Sequence, residues 1–448
     1  MMAAPVLKAI TTETKDGEWG KGEPFESSVE MAVIRGTDFE RVRIGEFSHL
    51  PIRYIPERIA SRKTLRAYDI LIETAGGSKD RPTGRTLFVK PSLIAKSELP
   101  LTCASFARFI RIDPFKAEPS YVFWLLQYLY GAGFIKQYHT QHTGVARFQF
   151  TTFAERELLR LPPKPIQNRI ASILSAYDDL IENNTRRIRI LEAMAKMIYR
   201  EWFVNFRFPG YEKVSMSKSE NGPIPSGWVS LRVGDVLQMH IGGGWGEEEK
   251  REGYTIPARV IRGTDIPDGR MGDFDGCPLR FHKESNFKSR KLQAGDIVFE
   301  VSGGSKGQPV GRALLIHPCA LNALGTDVIC ASFCKLLRPD PSKVGIVHLY
   351  EYLLDSYTNG QIEKYQVQST GITNFKFAVF LEDARIVVPP EAIRIEFENI
   401  SQLVVDAINL LGRKNAVLRR SRDMLLPKLM SGEISVEQIE TEAVAQDV

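Results

Sequence analysis

The sequence predicts an α+β protein in which one unit occurs twice, each copy being a mixed α/β globular domain followed by a long helix. Three observations predict this fold: an internal repeat, β-rich segments that end in Gly-rich turns, and two long runs of apolar residues at heptad spacing. With 448 residues, the chain is also too long for one ordinary hydrophobic core.

The internal repeat has a constant offset of 227 residues. The hexapeptide at 33–38, Val-Ile-Arg-Gly-Thr-Asp, recurs unchanged at 260–265. The other matched segments are 69–85 with 296–312, 103–106 with 330–333, and 141–150 with 368–377. The register holds without a net gap from about residue 30 to residue 203, which indicates a duplicated structural unit.

Each copy contains segments that favour strands and helices. Residues 69–73 and 296–300 are short, apolar and β-rich, and Gly-rich turns follow them, so they are predicted to be strands. Residues 121–138 carry apolar side chains at helical spacing, which predicts one helix over that range.

A heptad pattern begins after Pro162-Pro163. Its apolar positions alternate in steps of four and three residues, as in a coiled-coil helix, and the pattern ends before Pro209-Gly210. The predicted seam residues in this first helix are Ile170, Leu174, Tyr177, Ile181, Asn184, Ile188, Leu191 and Ile198. A single seam asparagine such as Asn184 typically fixes register at some cost in stability.

The second copy repeats this heptad pattern less regularly. Its predicted seam residues are Val404, Ile408, Leu411, Leu418 and Leu425. Ser401, Asn415 and Arg422 interrupt the seam, and the helix is predicted to end between Pro427 and Gly432. Because one apolar seam requires another, the two helices are predicted to pair as an antiparallel coiled coil related by an approximate two-fold axis.

Composition and charge limit the class of protein. The net charge of +5 permits nucleic-acid binding without arguing for it, so any basic surface must be local. Five scattered cysteines favour a reducing cytoplasm without disulfides, and the sequence shows neither a signal peptide nor an apolar run of membrane-spanning length. We therefore expect a cytoplasmic protein with no membrane partner.

The helix segments carry a family resemblance. The run from Leu161-Pro162-Pro163 through Trp202-Phe203 resembles the central conserved region of type I restriction-modification specificity (S) subunits, and 425–434 resembles the end of their distal conserved region. The resemblance implies target recognition domains at 1–162 and 209–388 and conserved helices at 163–208 and 389–435. A tail at 436–448 is predicted to be disordered.

The same resemblance implies a prokaryotic DNA-binding subunit that is not an enzyme and has no catalytic residues. Each recognition domain would read one half of a bipartite site in double-stranded DNA, and the helices would act as a spacer and bind two methyltransferase (M) subunits. Motor-nuclease (R) subunits would join for cleavage. The chain itself would need no cofactor, because ATP, Mg²⁺ and S-adenosylmethionine would belong to those partners.

Two Gly-bearing segments in each copy are the predicted DNA contacts. Glycines let a backbone approach a phosphate closely, lysine can hold the phosphate, and arginine can read guanine in the major groove. Loops with Thr-Gly could also reach base edges. The predicted residues are Gly76, Gly77, Ser78, Lys79, Arg85, Thr143 and Gly144 in the first copy, and Gly303, Gly304, Ser305, Lys306, Arg312, Thr370 and Gly371 in the second. Tight turns with no DNA contact are the alternative.

Other polar residues of the repeat are assigned structural roles. Arg35 and Arg262 are predicted to pair with the aspartates three residues later, Asp38 and Asp265. No metal site is predicted, because the cysteines near His317 fit no standard zinc spacing.

Two other classes of protein stay open as alternatives. A DNA methyltransferase or nuclease of unusual motif content is disfavoured, because the contexts of Pro162-Pro163 and Pro389-Pro390 do not fit a methyltransferase motif. A coiled-coil scaffold with two protein-binding heads would match the repeat but not bind DNA.

Overall fold

The computed structural model describes residues 4–76, 82–142, 145–219, 222–304, 308–369 and 371–436. The chain divides into two compact units: unit 1 comprises residues 1–183 and 418–448, and unit 2 comprises residues 184–417. The division passes through both long helices, so each unit contains one globular domain and a segment of each helix.

Three sheets form the globular part of unit 1. Their strands are β1 (Thr11–Asp16), β2 (Ser28–Ile34), β3 (Ile52–Pro56), β4 (Ile70–Glu73), β5 (Ala75–Gly76), β6 (Thr86–Phe88), β7 (Leu101–Cys103), β8 (Ala107–Ile112), β9 (His139–His142) and β10 (Val145–Phe148). The strand orders are β1-β8-β4-β6, β3-β2-β7 and β5-β10-β9. β2 and β7 pair in parallel, and the other pairs are antiparallel.

Helices cover these sheets and close the core of unit 1. They are α1 (Phe39–Arg43), α2 (Glu57–Lys63), α3 (Pro91–Lys96), α4 (Pro119–Gly131) and α5 (Phe150–Arg156). α4 buries Tyr121 and Trp124 in a core that also contains Leu174 of the first long helix and Leu429 of the second. The N-terminal domain is therefore not a separate globule, because residues from the end of the chain complete its core.

Unit 2 repeats this plan. Its strands are β11 (Met216–Ser219), β12 (Gly222–Pro225), β13 (Val229–Arg232), β14 (Leu237–Gly242), β15 (Ile256–Ile261), β16 (Leu279–His282), β17 (Ile297–Glu300), β18 (Ser302–Gly303), β19 (Ala313–Leu315), β20 (Val328–Cys330), β21 (Cys334–Pro339), β22 (Gln366–Ser369), β23 (Ile372–Phe375) and β24 (Arg385–Val388). The orders β14-β21-β17-β19, β16-β15-β20 and β18-β23-β22 correspond one for one to the sheets of unit 1. The pairs β11-β12 and β13-β24 are additional.

The short helices of unit 2 follow those of unit 1 as well. They are α7 (Ile266–Arg270), α8 (Glu284–Arg290), α9 (Pro318–Leu324), α10 (Ile346–Thr358) and α11 (Phe377–Asp383). The predicted strands at 69–73 and 296–300 are confirmed as β4 and β17. The predicted helix over 121–138 is only partly right, because α4 ends at Gly131 and Gly133 takes a left-handed turn before a 3₁₀ helix, Phe134–Tyr138.

The two long helices are α6 (Lys164–Tyr199), extended by a π-helical turn over Arg200–Val204, and α12 (Glu391–Ser431). The predicted fold class, α+β with two related α/β domains and two long helices, is confirmed. None of the helices in the described ranges is long and apolar enough to cross a membrane.

The segments of α6 and α12 run antiparallel within each unit. In unit 2, Asn184 contacts Asn415 and the ring of Trp202 lies 5.6 Å from that of Phe397. In unit 1, α6 and α12 meet through an ion pair, described below, and the shared core. All predicted seam residues of both helices are buried or half-buried. The first residue of the predicted tail, Val436, is also buried, and the rest of that tail lies outside the described residues.

A polar pair lies in the helix seam of unit 2. The side-chain amide of Asn184 donates to Oδ1 of Asn415 at 3.0 Å, and Asn415 donates to the hydroxyl of Thr185 at 3.2 Å. All three side chains are buried. The asparagine that interrupts the second seam therefore satisfies the asparagine of the first, and a one-turn slip of either helix would leave both amides unpaired.

A buried carboxylate connects three elements of unit 1. Asp178 of α6 accepts from Nε of Arg43 in α1 at 2.7 Å and from Nη1 of Arg422 in α12 at 2.5 Å. The guanidinium groups of both arginines lie over the indole ring of Trp124 in α4, at 5.3 and 5.9 Å. Burial alone would raise the pKa of Asp178, but the charges of Arg43 and Arg422 lower it below its ordinary value.

Candidate nucleic-acid interface

The candidate site of unit 1 is built on the hairpin β4–β6. Glu73 ends β4 and Arg85 lies just before β6, and their backbones are joined by a 2.9 Å hydrogen bond. Arg85 donates from Nε and Nη2 to the two carboxylate oxygens of Glu73 at 3.0 and 2.7 Å, and both side chains are largely buried. Arg312 and Glu300 form the same bidentate pair in unit 2, at 2.8 and 2.5 Å.

This pairing bears on the predicted DNA contacts of the two arginines. Burial lowers the pKa of Arg85, but the hydrogen bond and charge of Glu73 raise it above its ordinary value, so the guanidinium stays charged. Two of its N–H groups are already donated to Glu73, as are those of Arg312 to Glu300. Direct contact of either arginine with a base stays a prediction.

A glycine of the repeated Arg-Gly-Thr-Asp segment lies directly against each carboxylate. A Cβ added to Gly36 would lie 2.4 Å from Oε1 of Glu73, and one added to Gly263 would lie 2.5 Å from Oε1 of Glu300. The glycine is therefore required for space, since any side chain would push the carboxylate off its arginine.

Replacing Gly36 by alanine should accordingly destabilise the protein. We expect Gly36→Ala to lower the free energy of unfolding by about 1–3 kcal/mol in a urea titration, because the methyl group collides with a buried, ion-paired carboxylate. The matched control is Gly131→Ala at the end of α4, where nothing lies within 4 Å of an added Cβ and the change should be neutral or slightly stabilising. Equal losses for both variants would contradict this explanation.

The described residues next to the predicted Gly-bearing segments of unit 1 belong to one three-stranded sheet. Gly76, with a φ of 116°, pairs with Ala146 of β10, and β10 pairs with β9. His142 of β9 pairs with Val145 of β10, and Thr143 and Gly144 come between them in the sequence. Residues Gly77, Ser78 and Lys79, like Thr143 and Gly144 themselves, lie outside the described residues. The structure thus brings the ends of the two predicted segments together, which the sequence did not reveal.

Unit 2 has the same arrangement. Gly303, with a φ of 126°, pairs with Thr373 of β23, and Ser369 pairs with Ile372 across the second hairpin. Gly304 and Gly371 also have positive φ values, of 73° and 83°. Ser305, Lys306 and Thr370 lie outside the described residues, and their DNA contacts stay predictions.

The predicted pairing of the repeated arginine and aspartate is confirmed in both units. Arg35 donates from Nε and Nη2 to the carboxylate of Asp38 at 2.8 and 2.9 Å, and Arg262 binds Asp265 at 2.9 and 2.7 Å. The aspartates are buried, whereas 42% of the Arg35 side chain is exposed. Each arginine is therefore held by its aspartate while part of its side chain stays exposed.

Sequence reasoning missed an exposed phenylalanine that occurs at the same place in both units. Phe106 lies in the turn between β7 and β8 and is 63% exposed, and Phe333 is 54% exposed. The carbonyl of Phe106 accepts from the backbone N–H groups of Thr74 and Ala75, at 2.8 and 3.2 Å. The turn is therefore held by the strand that leads to Gly76. The sequence offered one sign of this phenylalanine's importance, because it occurs in both copies of the repeated Cys-Ala-Ser-Phe segment.

A tryptophan near this turn was also missed. The guanidinium of Arg53 lies 4.4 Å from the ring of Trp19, and that of Arg280 lies 4.6 Å from Trp245. The arginines differ by 227 positions but the tryptophans by 226, so the fixed offset does not align the two tryptophans. Among the described residues, no group of three or more His, Cys, Asp or Glu side chains is arranged to hold a metal ion.

The fold and these paired sites define a class of protein: two related α/β domains, each followed by a long helix and each presenting the same aromatic and Gly-bearing surface. A solved structure described as the S subunit of a type I restriction-modification system from M. genitalium has this fold. It aligns with a TM-score of 0.51 and 12% sequence identity, covering 95% of this chain and 94% of that one.

Curated relatives supply the sequence relationship. The MjaIX type I restriction enzyme specificity subunit of Methanocaldococcus jannaschii is 26% identical over 369 residues, covering 79% of this chain and 80% of that protein. The MjaVIII specificity subunit of the same organism is 32% identical over 103 residues, 23% of either chain. No protein-family model matches the chain. The chain is therefore similar to type I restriction enzyme specificity subunits over most of its length, in agreement with the resemblance of its helix segments.

Proposed function

We propose that this chain is the non-catalytic DNA-specificity subunit of a type I restriction-modification complex. The observation that carries the proposal is the relationship to a specificity subunit over four fifths of both chains. Each α/β domain reads one half of a bipartite target in double-stranded DNA. Methyl transfer, DNA translocation and cleavage belong to partner subunits, which bind S-adenosylmethionine, ATP and Mg²⁺.

The duplicated surface supports a two-part target. Each unit presents a hairpin with a Gly-bearing strand, an exposed phenylalanine and a fixed, partly exposed arginine. Because these residues are the same in both units, we propose that the two half-sites are related and that the full target approaches an inverted repeat. Docking of M subunits is proposed on the long helices.

The docking proposal is supported by exposed apolar rows on both helices. On α12, Leu403, Leu410 and Val417 follow one another at intervals of seven residues and are exposed. On α6, Met194 and Met197, which are three residues apart, are also exposed. These residues lie off the buried seam, and a heptad-spaced apolar row on a helix is typical of a surface that packs against another helix. We propose helices of the M subunits as that partner.

Mapping of methylated positions across the genome of a host that carries this chain and its M partner tests the function. We expect methylation at one bipartite motif with two similar, inverted half-sites, and a Phe333→Ala chain should change recognition of only one half. Unrelated half-sites would refute their proposed similarity, and the absence of any bipartite methylation would refute the specificity function itself.

Salt dependence provides a second, independent measurement on the purified chain. Binding to a duplex that contains the mapped target should survive at salt concentrations where binding to a scrambled duplex is lost, because phosphate contacts weaken with salt faster than base contacts do. A chain that acts only as a protein scaffold would bind neither duplex.

A further inference from the structure

A cavity opens beside the exposed phenylalanine of unit 1. Its volume is about 690 Å³, within the size range of small-molecule sites. Its walls include Phe106, Trp19, Arg35 and Gly76. The site therefore combines two aromatic residues with an arginine that Asp38 holds in place, next to the sheet that contains Gly76.

The buried ion pair of Glu73 and Arg85 also lines the cavity. Nη1 of Arg85 is buried without a hydrogen-bond partner in the described part of the chain. The aromatic residues and the partly exposed Arg35 favour a flat, aromatic ligand that bears hydrogen-bond acceptors.

A base that stays stacked in a duplex cannot fill such a concave site. It presents only its edge in a groove, whereas this cavity would enclose a whole ring. Phe106 is suited to fill the gap that a displaced base leaves in the stack. An exposed apolar side chain on a turn can enter a base step and replace the lost stacking. The exposed Arg147 of β10, which lines an adjoining 430 Å³ cavity together with Phe106, adds positive charge near the displaced backbone.

We propose that this cavity binds one base of the target after that base has rotated out of the duplex, and that Phe106 fills the gap in the stack. The proposal rests on the proposed function, since it requires a duplex target. It assigns to the recognition domain itself a base-displacing step that is separate from methyl transfer. Unit 2 retains Phe333, Arg262, Glu300, Arg312 and Gly303 at the equivalent positions, so the same step applies to the other half-site.

The test uses the full-length chain without M subunits, so that no methyltransferase can displace a base. The probes are duplexes that carry the mapped target with 2-aminopurine at one position at a time. We expect fluorescence to increase several-fold on binding at one position of the half-site. A mismatch at that position should tighten binding by roughly five- to tenfold, because the base pair is already broken, whereas mismatches elsewhere should weaken binding.

Two variants remove different parts of the site. Phe106→Ala should abolish the fluorescence increase and weaken target binding by about tenfold, the effect of losing one aromatic stacking contact. Ser105→Trp, at an exposed position of the rim, should fill the cavity and abolish the increase without unfolding the chain. The matched control is Phe115→Ala, which removes a phenylalanine that is 92% exposed and does not line the cavity.

The outcomes separate this proposal from the proposed function. Specific binding without any fluorescent position, or with mismatches that only weaken binding, would overturn the displaced-base site and leave the specificity function intact. Loss of specific binding for the unmodified duplex would instead overturn the proposed function. Equal effects of Phe106→Ala and Phe115→Ala would overturn the role of Phe106.

Discussion

Asp178→Ala is expected to lower the free energy of unfolding of unit 1 by about 3–5 kcal/mol, the cost of breaking a buried ion pair by removing one partner. The substitution leaves the guanidinium of Arg43 over Trp124 without a carboxylate and leaves that of Arg422 with only the exposed Asp423. Because Asp178 connects α1, α6 and α12, the recognition domain should loosen from both helices. Hydrogen exchange should show faster exchange in peptides of α1 and α4, with peptides of unit 2 nearly unchanged.

The chain offers a matched control on the same arginine. Asp423 accepts from Nη2 of Arg422 at 2.8 Å, but its side chain is 61% exposed. Asp423→Ala should therefore cost less than about 1 kcal/mol, as is usual for a surface ion pair. If the two substitutions destabilised unit 1 equally, burial of the carboxylate would not be the source of its stabilising effect.

The Asp178 carboxylate also makes the stability of the folded protein depend on pH, and the direction of its pKa shift gives the sign of that dependence. The pKa of Asp178 is lowered in the folded protein relative to its ordinary value of 3.8, so its stabilising effect is complete at neutral pH. That contribution is lost as the pH falls through the lowered folded value. The stability of Asp178→Asn should consequently fall less steeply below about pH 4 than that of the unmodified chain.

Leu403→Glu combined with Leu410→Glu is expected to abolish co-purification of M subunits while the chain stays folded. Both positions are exposed, so the substitutions should alter the stability of the free chain little. Two carboxylates buried in a helix interface, however, would have no partners and would prevent docking. Co-purification from a host that expresses both subunits, with circular dichroism of the free chain, measures the two effects separately.

A control pair on the same helix tests whether the row itself matters. Gln402→Glu with Arg413→Glu adds negative charge at exposed positions of α12 that lie off the apolar row. This variant should keep its M subunits at moderate salt. Normal M binding by Leu403→Glu/Leu410→Glu, or equal loss in the control, would contradict docking through the row.

The sequence predicted the elements of this fold well where periodicity governs them. Strands β4 and β17, both long helices and the buried side of each helix follow from apolar spacing. Asn415 and Arg422 seemed to interrupt the second seam, because a pattern on one helix does not show what lies opposite. In the structure, Asn184 binds Asn415 and Asp178 binds Arg422. The sequence pattern of one helix could not show which residues of the other helix lie opposite it.

The candidate site was predicted less completely, for two physical reasons. The role of Arg85 depends on Glu73, twelve residues earlier, which only the geometry of the β4–β6 hairpin places beside it. The exposure of Phe106 could not be predicted, because hydrophobic residues are assigned to the core by default. The 227-residue offset also did not predict the contacts with α6. Arg43 and Arg270 occupy equivalent positions of the repeat, yet both bind α6: Arg43 binds Asp178, and Arg270 binds Glu192.

The division of the chain has a consequence for the order of folding during synthesis. Unit 2 is one continuous stretch, residues 184–417, and all of it is synthesised before the last part of unit 1 is made. The core of unit 1 needs Leu429, Met430 and Val436, so apolar surface of the N-terminal domain stays uncovered until these residues, which follow all of unit 2, have been synthesised. A premature stop between the two segments would therefore damage the domain at the opposite end of the sequence.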